Sequence, residues 1–222
     1  MVRLENDHDL PEDFLRGVDP VLAGVIDDVV GSVGTPLSES RDTGVPDLPS
    51  EHYGVLVRAI VGQNISNIAA QAIYGRIVER YGGHAPAPEE LLADEPDGLR
   101  TAVGLSHAKT ASLRSLAEHV ISGELELERL PELPDDEVVA QLTAIKGIGR
   151  WTAEIFLIFH LLRPDVLAVG DLEIRRTVET AYKLPELPKP AEVEKLGQAW
   201  RPQRTLAGLY LWRWRAVQRA KA

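Results

Sequence analysis

Apolar residues recur along most of the chain at spacings of three and four, the period of an amphipathic helix rather than the alternation of a half-buried strand. Asp19-Pro20 reads as an N-cap and first helical position, and Val21, Leu22, Val25, Ile26, Val29 and Val30 then gather on one side. Ser50 is placed to cap a helix carrying Tyr53, Leu56, Val57, Ile60 and Val61. Ser66 is placed to cap another, running through Ile68, Ala72, Ile73, Ile77 and Tyr81 to a stop at Gly82-Gly83. Short helical segments are predicted over 89–93 and 99–103. A longer one opens at Ser106, with Leu113, Leu116, Val120 and Ile121 as its stripe. Helices over 135–145 and 151–162 are separated only by Lys146-Gly147-Ile148-Gly149-Arg150, and further helices are predicted over 172–182, 191–199 and 203–219. Residues 34–49, rich in Gly, Pro, Ser and Asp, read as a connection. The segments 125–130 and 166–169 have the composition of short strands but no evident partner. The expected class is all-α.

Composition narrows the chemistry. The sequence contains no cysteine, which excludes disulfides, thiolate zinc sites, cysteine-held iron–sulfur clusters and a catalytic thiol. The longest strongly apolar run, 155–162, is interrupted by His160 and is too short to cross a bilayer. Residues 1–20 are acidic and show no apolar signal core, so an intracellular soluble protein is expected. The six histidines, at 8, 52, 84, 107, 119 and 160, have no metal-ligand spacing and none reads as catalytic. The acidic N-terminal run reads as solvated surface.

A net charge of −10 argues, by itself, against a nucleic-acid partner. The charge is unevenly spread, however. Residues 1–50 hold three basic against eleven acidic side chains, whereas 200–222 hold Arg201, Arg204, Arg213, Arg215, Arg219 and Lys221 with no acid. Exposed charges are screened beyond ~10 Å, so a local basic face can bind DNA on an acidic chain. A basic C-terminal helix that merely answers its own dipole fits the composition equally well.

The run Leu142-Thr-Ala-Ile-Lys-Gly-Ile-Gly-Arg-Trp-Thr-Ala-Glu154 carries the most specific signal. Two glycines one residue apart between two helices permit positive φ and close backbone approach. The amides opening the second helix then point outward, where a phosphate oxygen can accept from them, with Lys146 and Arg150 as counter-charge. A bare Gly-x-Gly would be a plain interhelical turn. Here the flanking sequence resembles the helix-hairpin-helix DNA glycosylases, and within them the AlkA-type 3-methyladenine DNA glycosylases II. Val169-Gly-Asp-Leu-Glu-Ile-Arg-Arg176 resembles the segment bearing the family's catalytic aspartate, and Arg58-Ala-Ile-Val-Gly-Gln-Asn-Ile-Ser66 the helix and loop that probe DNA. Gly104-Leu-Ser106 with Lys109, and Trp200-Arg-Pro-x-Arg204 through Tyr210-Leu-Trp212, are similar to further family segments.

The resemblance implies a two-lobed helical bundle of the HhH-GPD type. An N-terminal segment (1–50) packs with a C-terminal one (166–222), and a central lobe (51–165) holds the hairpin at 135–162. Too few residues precede the core for the extra N-terminal β-rich domain of longer AlkA-type members. The implied activity is base-excision repair by a monofunctional glycosylase, which hydrolyses the N-glycosidic bond of alkylated purines (the 3-methyladenine and 7-methylguanine class) in double-stranded DNA after base flipping. Asp171 would be catalytic, although an aspartate after glycine also reads as the N-cap of the helix from Leu172. Bifunctional relatives carry a lysine two positions after the hairpin's second glycine; Trp151 stands there. Trp212, Trp151, Leu172 and Ile155 would line the base pocket, and Gly147, Gly149, Lys146, Arg150, Gln63, Asn64, Ser106 and Lys109 would meet DNA. Trp200 and Trp214 read as ordinary packing, and Arg175 and Arg176 either meet phosphate or pair with Glu179. No organic cofactor or catalytic metal is implied; a Na⁺ or K⁺ ion on the carbonyls of Thr143, Ile145 and Ile148 is compatible. A cytoplasmic, nucleoid-associated monomer is expected. The competing class is a non-catalytic helix-hairpin-helix module that recognises damage without releasing the base.

Overall fold

The computed structural model describes residues 10–39, 49 and 51–221. Among these residues there are twelve α-helices and no strand. They are α1 (Pro11–Val18), α2 (Pro20–Val33), α3 (His52–Gly62), α4 (Asn67–Arg80), α5 (Pro88–Ala93) and α6 (Pro96–Val103) in the first half. The second half holds α7 (His107–Ser122), α8 (Asp135–Ala144), α9 (Arg150–Phe159), α10 (Leu172–Ala181), α11 (Pro190–Gly197) and α12 (Arg204–Lys221). The all-α expectation holds. Its strand-like exceptions resolve into a 3-10 turn over Leu127–Glu132 and an irregular segment at 166–169.

Local chemistry explains several helix starts. Asp19 accepts from the amides of Val21 and Leu22, Ser66 from Ala69, Ser106 from Lys109 and Asp171 from Ile174, each satisfying a first-turn donor that the helix leaves open. The expected Ser50 cap lies outside the described residues, as do 40–48 of the expected connection; Glu51 takes the N-cap position of α3 without a side-chain bond.

The chain divides into two compact units. One comprises Met1–Val45 and Leu162–Ala222, the other Pro46–Leu161. In the first, α2 packs on α12, which also packs on α10. Leu22, Ile26, Val29, Ile174, Trp200 and Leu211 are buried in its core. In the second, α3 packs against α4, α7 and α9, and α5 lies on α7. Leu56, Ile60, Leu113, Leu116, Leu142 and Phe156 fill that core.

Two buried carboxylates organise the first unit. Asp19, besides capping α2, accepts from the Tyr182 hydroxyl and from Trp200 Nε1 at 2.9 Å. Glu12, in α1, is 0% exposed, an exception to the reading of the acidic N-terminal run as solvated surface, of which residues 1–9 lie outside the described residues. Neither sequence helix spacing nor charge marks it, because its partners lie far along the chain. Oε1 accepts from Ser38 N at 3.0 Å and Tyr210 Oη at 2.7 Å, and Oε2 from Ser38 Oγ at 2.6 Å.

Burial alone would push the Glu12 carboxyl up, but the bonds from Ser38 and Tyr210 prevail and hold it below its ordinary value of 4.5. As acid is added, the unfolded chain therefore takes up this proton before the folded one does. Glu12 adds stability above pH 4.5 and loses it as pH falls through the lower folded value. Glu12→Gln is expected to destabilise the protein at neutral pH and to flatten the acid decline of stability. Urea midpoints taken at about pH 7 and about pH 4 check both.

Candidate active site and nucleic-acid interface

The hairpin joins α8 to α9 through Lys146–Gly149, and its two glycines do different work. Gly147 has φ +85°, a region that glycine alone enters without strain, and a Cβ there would lie 1.9 Å from Ser112 Oγ on α7. Gly149 instead is extended (φ −93°, ψ 170°) and caps α9 without a side chain. A Cβ on Gly149 would meet no atom within 4 Å, so the space before this helix start is open. The positive φ that the two glycines permit is thus found at Gly147. The outward-facing first-turn amides of α9 and its dipole are what an anion needs.

The hairpin is held from three sides within its unit. Ser115 Oγ accepts the Lys146 amide at 3.3 Å, and Ser112 packs against Gly147. Gln63, at the end of α3, donates through Nε2 to the Gly147 carbonyl at 2.9 Å and to Thr152 Oγ1 at 3.2 Å. Gln63 therefore ties the loop after α3 to the hairpin. Asn64, the next residue, is exposed with φ +56°, a conformation asparagine tolerates better than most residues.

The remaining expected DNA-binding residues have intramolecular partners. Lys109 donates through Nζ to the Val61 carbonyl at 2.8 Å, and burial holds its ammonium below the usual lysine range. It thus closes the C-terminal end of α3, while Ser106 caps its own helix. Arg150 pairs with Glu154 at 2.8 Å but keeps a side chain that is 72% exposed. On the same helix, Trp151 is 43% exposed and Ile155 is half-buried. Of the carbonyls considered for a cation, that of Ile145 accepts the Ile148 amide at 3.1 Å.

In the first unit, α10 begins at Asp171. Its Oδ1 accepts the Ile174 amide at 2.9 Å and Trp212 Nε1–H, from α12, at 3.0 Å. The cap reading and the catalytic reading are compatible, since two N–H groups on one oxygen fix where the carboxylate points. Trp212, expected as a pocket wall, is also a ligand of Asp171 through its indole nitrogen. Leu172 follows at 44% exposure.

The C-terminal arginines are largely matched by acids of the same unit, a third outcome beside the DNA face and the dipole. Asp165 takes Arg201 and Arg204, each at 2.7 Å. Glu173 takes Arg219 at 2.6 Å and Arg176 at 3.4 Å. Arg175 donates to the Pro188 carbonyl at 2.8 Å, and the acid paired with Arg176 is Glu173. Trp200 is fully buried, and Trp214 donates to Asp28, consistent with packing roles. Among the described residues, no cluster of three or more His, Asp or Glu is arranged to hold a metal, and no helix is long and apolar enough to cross a membrane.

A helical fold with this hairpin and an aspartate at the following helix start defines a class. The chain belongs to the HhH-GPD superfamily of base excision DNA repair proteins, whose family model matches residues 57–203. More particularly, it is 40% identical over 165 residues to DNA-3-methyladenine glycosylase 1 of Schizosaccharomyces pombe, covering 73% of this chain and 72% of that protein. The solved structure of an S. pombe 3-methyladenine DNA glycosylase in complex with abasic DNA superposes with a TM-score of 0.76 at 35% identity, covering 91% of this chain and 94% of that one. A Bacillus halodurans DNA-3-methyladenine glycosidase gives a TM-score of 0.74 at 34% identity, covering 92% and 88%.

Proposed function

We propose that this chain is a monofunctional DNA glycosylase that hydrolyses the N-glycosidic bond of alkylated purines in double-stranded DNA. The observation that carries the proposal is the Asp171 carboxylate, aimed by the Ile174 amide and by Trp212 Nε1–H, in a chain of this family. Relatives named as 3-methyladenine glycosylases support the substrate class.

A purine methylated at N3 or N7 carries positive charge and leaves readily. As its bond to C1′ breaks, the electron pair departs with the base, the base becomes neutral and the sugar becomes oxocarbenium-like. An anionic carboxylate held at that sugar stabilises the developing cation without reorganising. Water then bonds to C1′, and its proton passes to Asp171 or to solvent. The base must first leave the stack, at a cost of a few kcal/mol that is smaller for a damaged base. In this division of labour the hairpin amides and Lys146 hold backbone phosphate, and Trp212 and Leu172 bound the pocket on the Asp171 side. Trp212 offers the π face that attracts a cationic base, worth about 0.5–2 kcal/mol.

Trp151 cannot form a Schiff base with the sugar, so the abasic strand should remain intact. Incubation with methylated duplex DNA is expected to release 3-methyladenine and 7-methylguanine, to leave heat-labile abasic sites, and to give no covalent adduct on borohydride treatment. Tight duplex binding without base release would instead identify a damage-recognition module, and strand cleavage would overturn the monofunctional assignment.

A further inference from the structure

The basic C-terminal stretch is neutralised unevenly within its unit. At the start of α12 and just before it, Arg204 and Arg201 meet two acids, Asp165 and Glu194. Farther along, three guanidinium groups converge on one carboxylate. Glu173, in the first turn of α10, has Arg219 at 2.6 Å and Arg215 at 3.7 Å from Oε2, and Arg176 at 3.4 Å from Oε1. Among the described residues, Glu173 is the acid paired with each of the three. The first cluster is balanced, two charges against two, while the second keeps a surplus of two positive charges. Helix dipoles account for part of this, since a cation in the last turn of α12 and an acid in the first turn of α10 are each favourable. They leave Arg176 and Arg215 unexplained. Arg215 Nε is buried and makes no hydrogen bond.

Three guanidinium groups carry about fifteen N–H donors, whereas one carboxylate accepts about four. Arg219 is 60% exposed and Arg176 45%, so surplus donors of both reach solvent. The cluster also adjoins the proposed catalytic aspartate. Glu173 follows Asp171 by two residues. Arg215 and Arg219 follow Trp212, the donor to Asp171, by three and seven residues, along one face of α12. Surplus charge on planar, forked donors suits an anion with several oxygens, which arginine can grip at two points. Beside the target sugar, that anion is a phosphodiester. We propose that Arg176, Arg215 and Arg219 form a second phosphate-binding patch, which takes a backbone phosphate next to the target nucleotide, and that Glu173 is the counter-ion this phosphate displaces. Glu173 thus keeps the guanidinium groups gathered and lowers the charge they show to undamaged backbone.

The patch rests on the DNA-glycosylase reading, but its test reads binding rather than base release. The full chain is titrated, over a series of salt concentrations, with a duplex bearing a tetrahydrofuran abasic analogue. The same duplex is then used with one neutral methylphosphonate placed at each linkage in turn around that site. Arg219→Gln is expected to weaken binding about fivefold and to lower the slope of log affinity against log salt by about one, the loss of one phosphate contact. Glu173→Gln should do the reverse and tighten binding, by up to about fivefold, the order of an exposed ion pair removed. Arg201→Gln makes the same charge change at the balanced cluster and should have a smaller effect on both readouts. With wild-type protein, the methylphosphonate at one linkage next to the abasic site should cost about as much as Arg219→Gln, and the two losses should not add. An Arg219→Gln protein with wild-type affinity and slope, an equal loss in Arg201→Gln, a Glu173→Gln protein that binds more weakly, or losses that add at every linkage would each overturn the patch. Base release is scored separately: its absence with the linkage coupling intact would count against the catalytic reading alone.

Discussion

Asp171→Asn should lower single-turnover base release by at least about a hundredfold, the range for removing one charge-stabilising or proton-accepting group. The substitution separates chemistry from architecture. Asparagine is as good an N-cap as aspartate, and its Oδ1 can still accept from Ile174 N and Trp212 Nε1. Only the negative charge is lost, so unfolding temperature and affinity for an abasic duplex should stay near wild type. Trp212→Phe makes the complementary cut: a ring stays at the position, the Nε1–H goes, and the carboxylate keeps the bond from the Ile174 amide. A smaller loss of rate is expected there. Release near the wild-type rate in Asp171→Asn, with the fold intact, would remove Asp171 from the reaction.

The second large effect is expected at the hairpin. In Gly147→Ala the new methyl would sit 1.9 Å from Ser112 Oγ and 2.9 Å from Ser112 Cβ, on a backbone at φ +85°. A left-handed backbone at a non-glycine residue costs ~1–3 kcal/mol, and overpacking typically another ~1–3 kcal/mol. The chain is expected to lose about 2–6 kcal/mol of stability, or to shift the hairpin away from α7 and forfeit DNA binding. Denaturant unfolding and duplex titration together distinguish these. Ser112→Gly in the same chain should recover the packing part and leave the backbone part. Gly149→Ala should be far milder in stability, because its Cβ points into open space, yet it should weaken DNA binding by filling the approach to α9.

What the sequence made legible was local. The caps at Asp19, Ser66, Ser106 and Asp171 each join residues two or three apart, so spacing alone predicts them. Helical periodicity fixed the class, and the Gly-x-Gly between two apolar stripes marked the hairpin. The features that escaped depend on partners remote in sequence. Gln63 bonds the Gly147 carbonyl, 84 residues on, so the residue expected to probe DNA also braces the hairpin. Lys109 was expected to meet DNA by resemblance; its ammonium also donates to the Val61 carbonyl, and no charge pattern reports a neighbour on another helix. Glu12 is the extreme case. It looked solvated among other acids, and it is buried because Ser38 and Tyr210, 26 and 198 residues away, converge on it. The basic tail was ambiguous for the same reason, since Asp165 and Glu173 come from other segments.

The helix that starts at Asp171 is gripped at both extremities. Trp212 holds its first residue, and Tyr182, just past its end, is fastened to the Asp19 carboxylate. The Asp171 carboxylate is aimed during folding, before any substrate arrives, and has little latitude to adapt to one base over another. On the proposed reading, the aim of that carboxylate does not separate one lesion from another, and the choice falls to how easily a nucleotide swings out, how willingly its base departs and how its charge meets the Trp212 face.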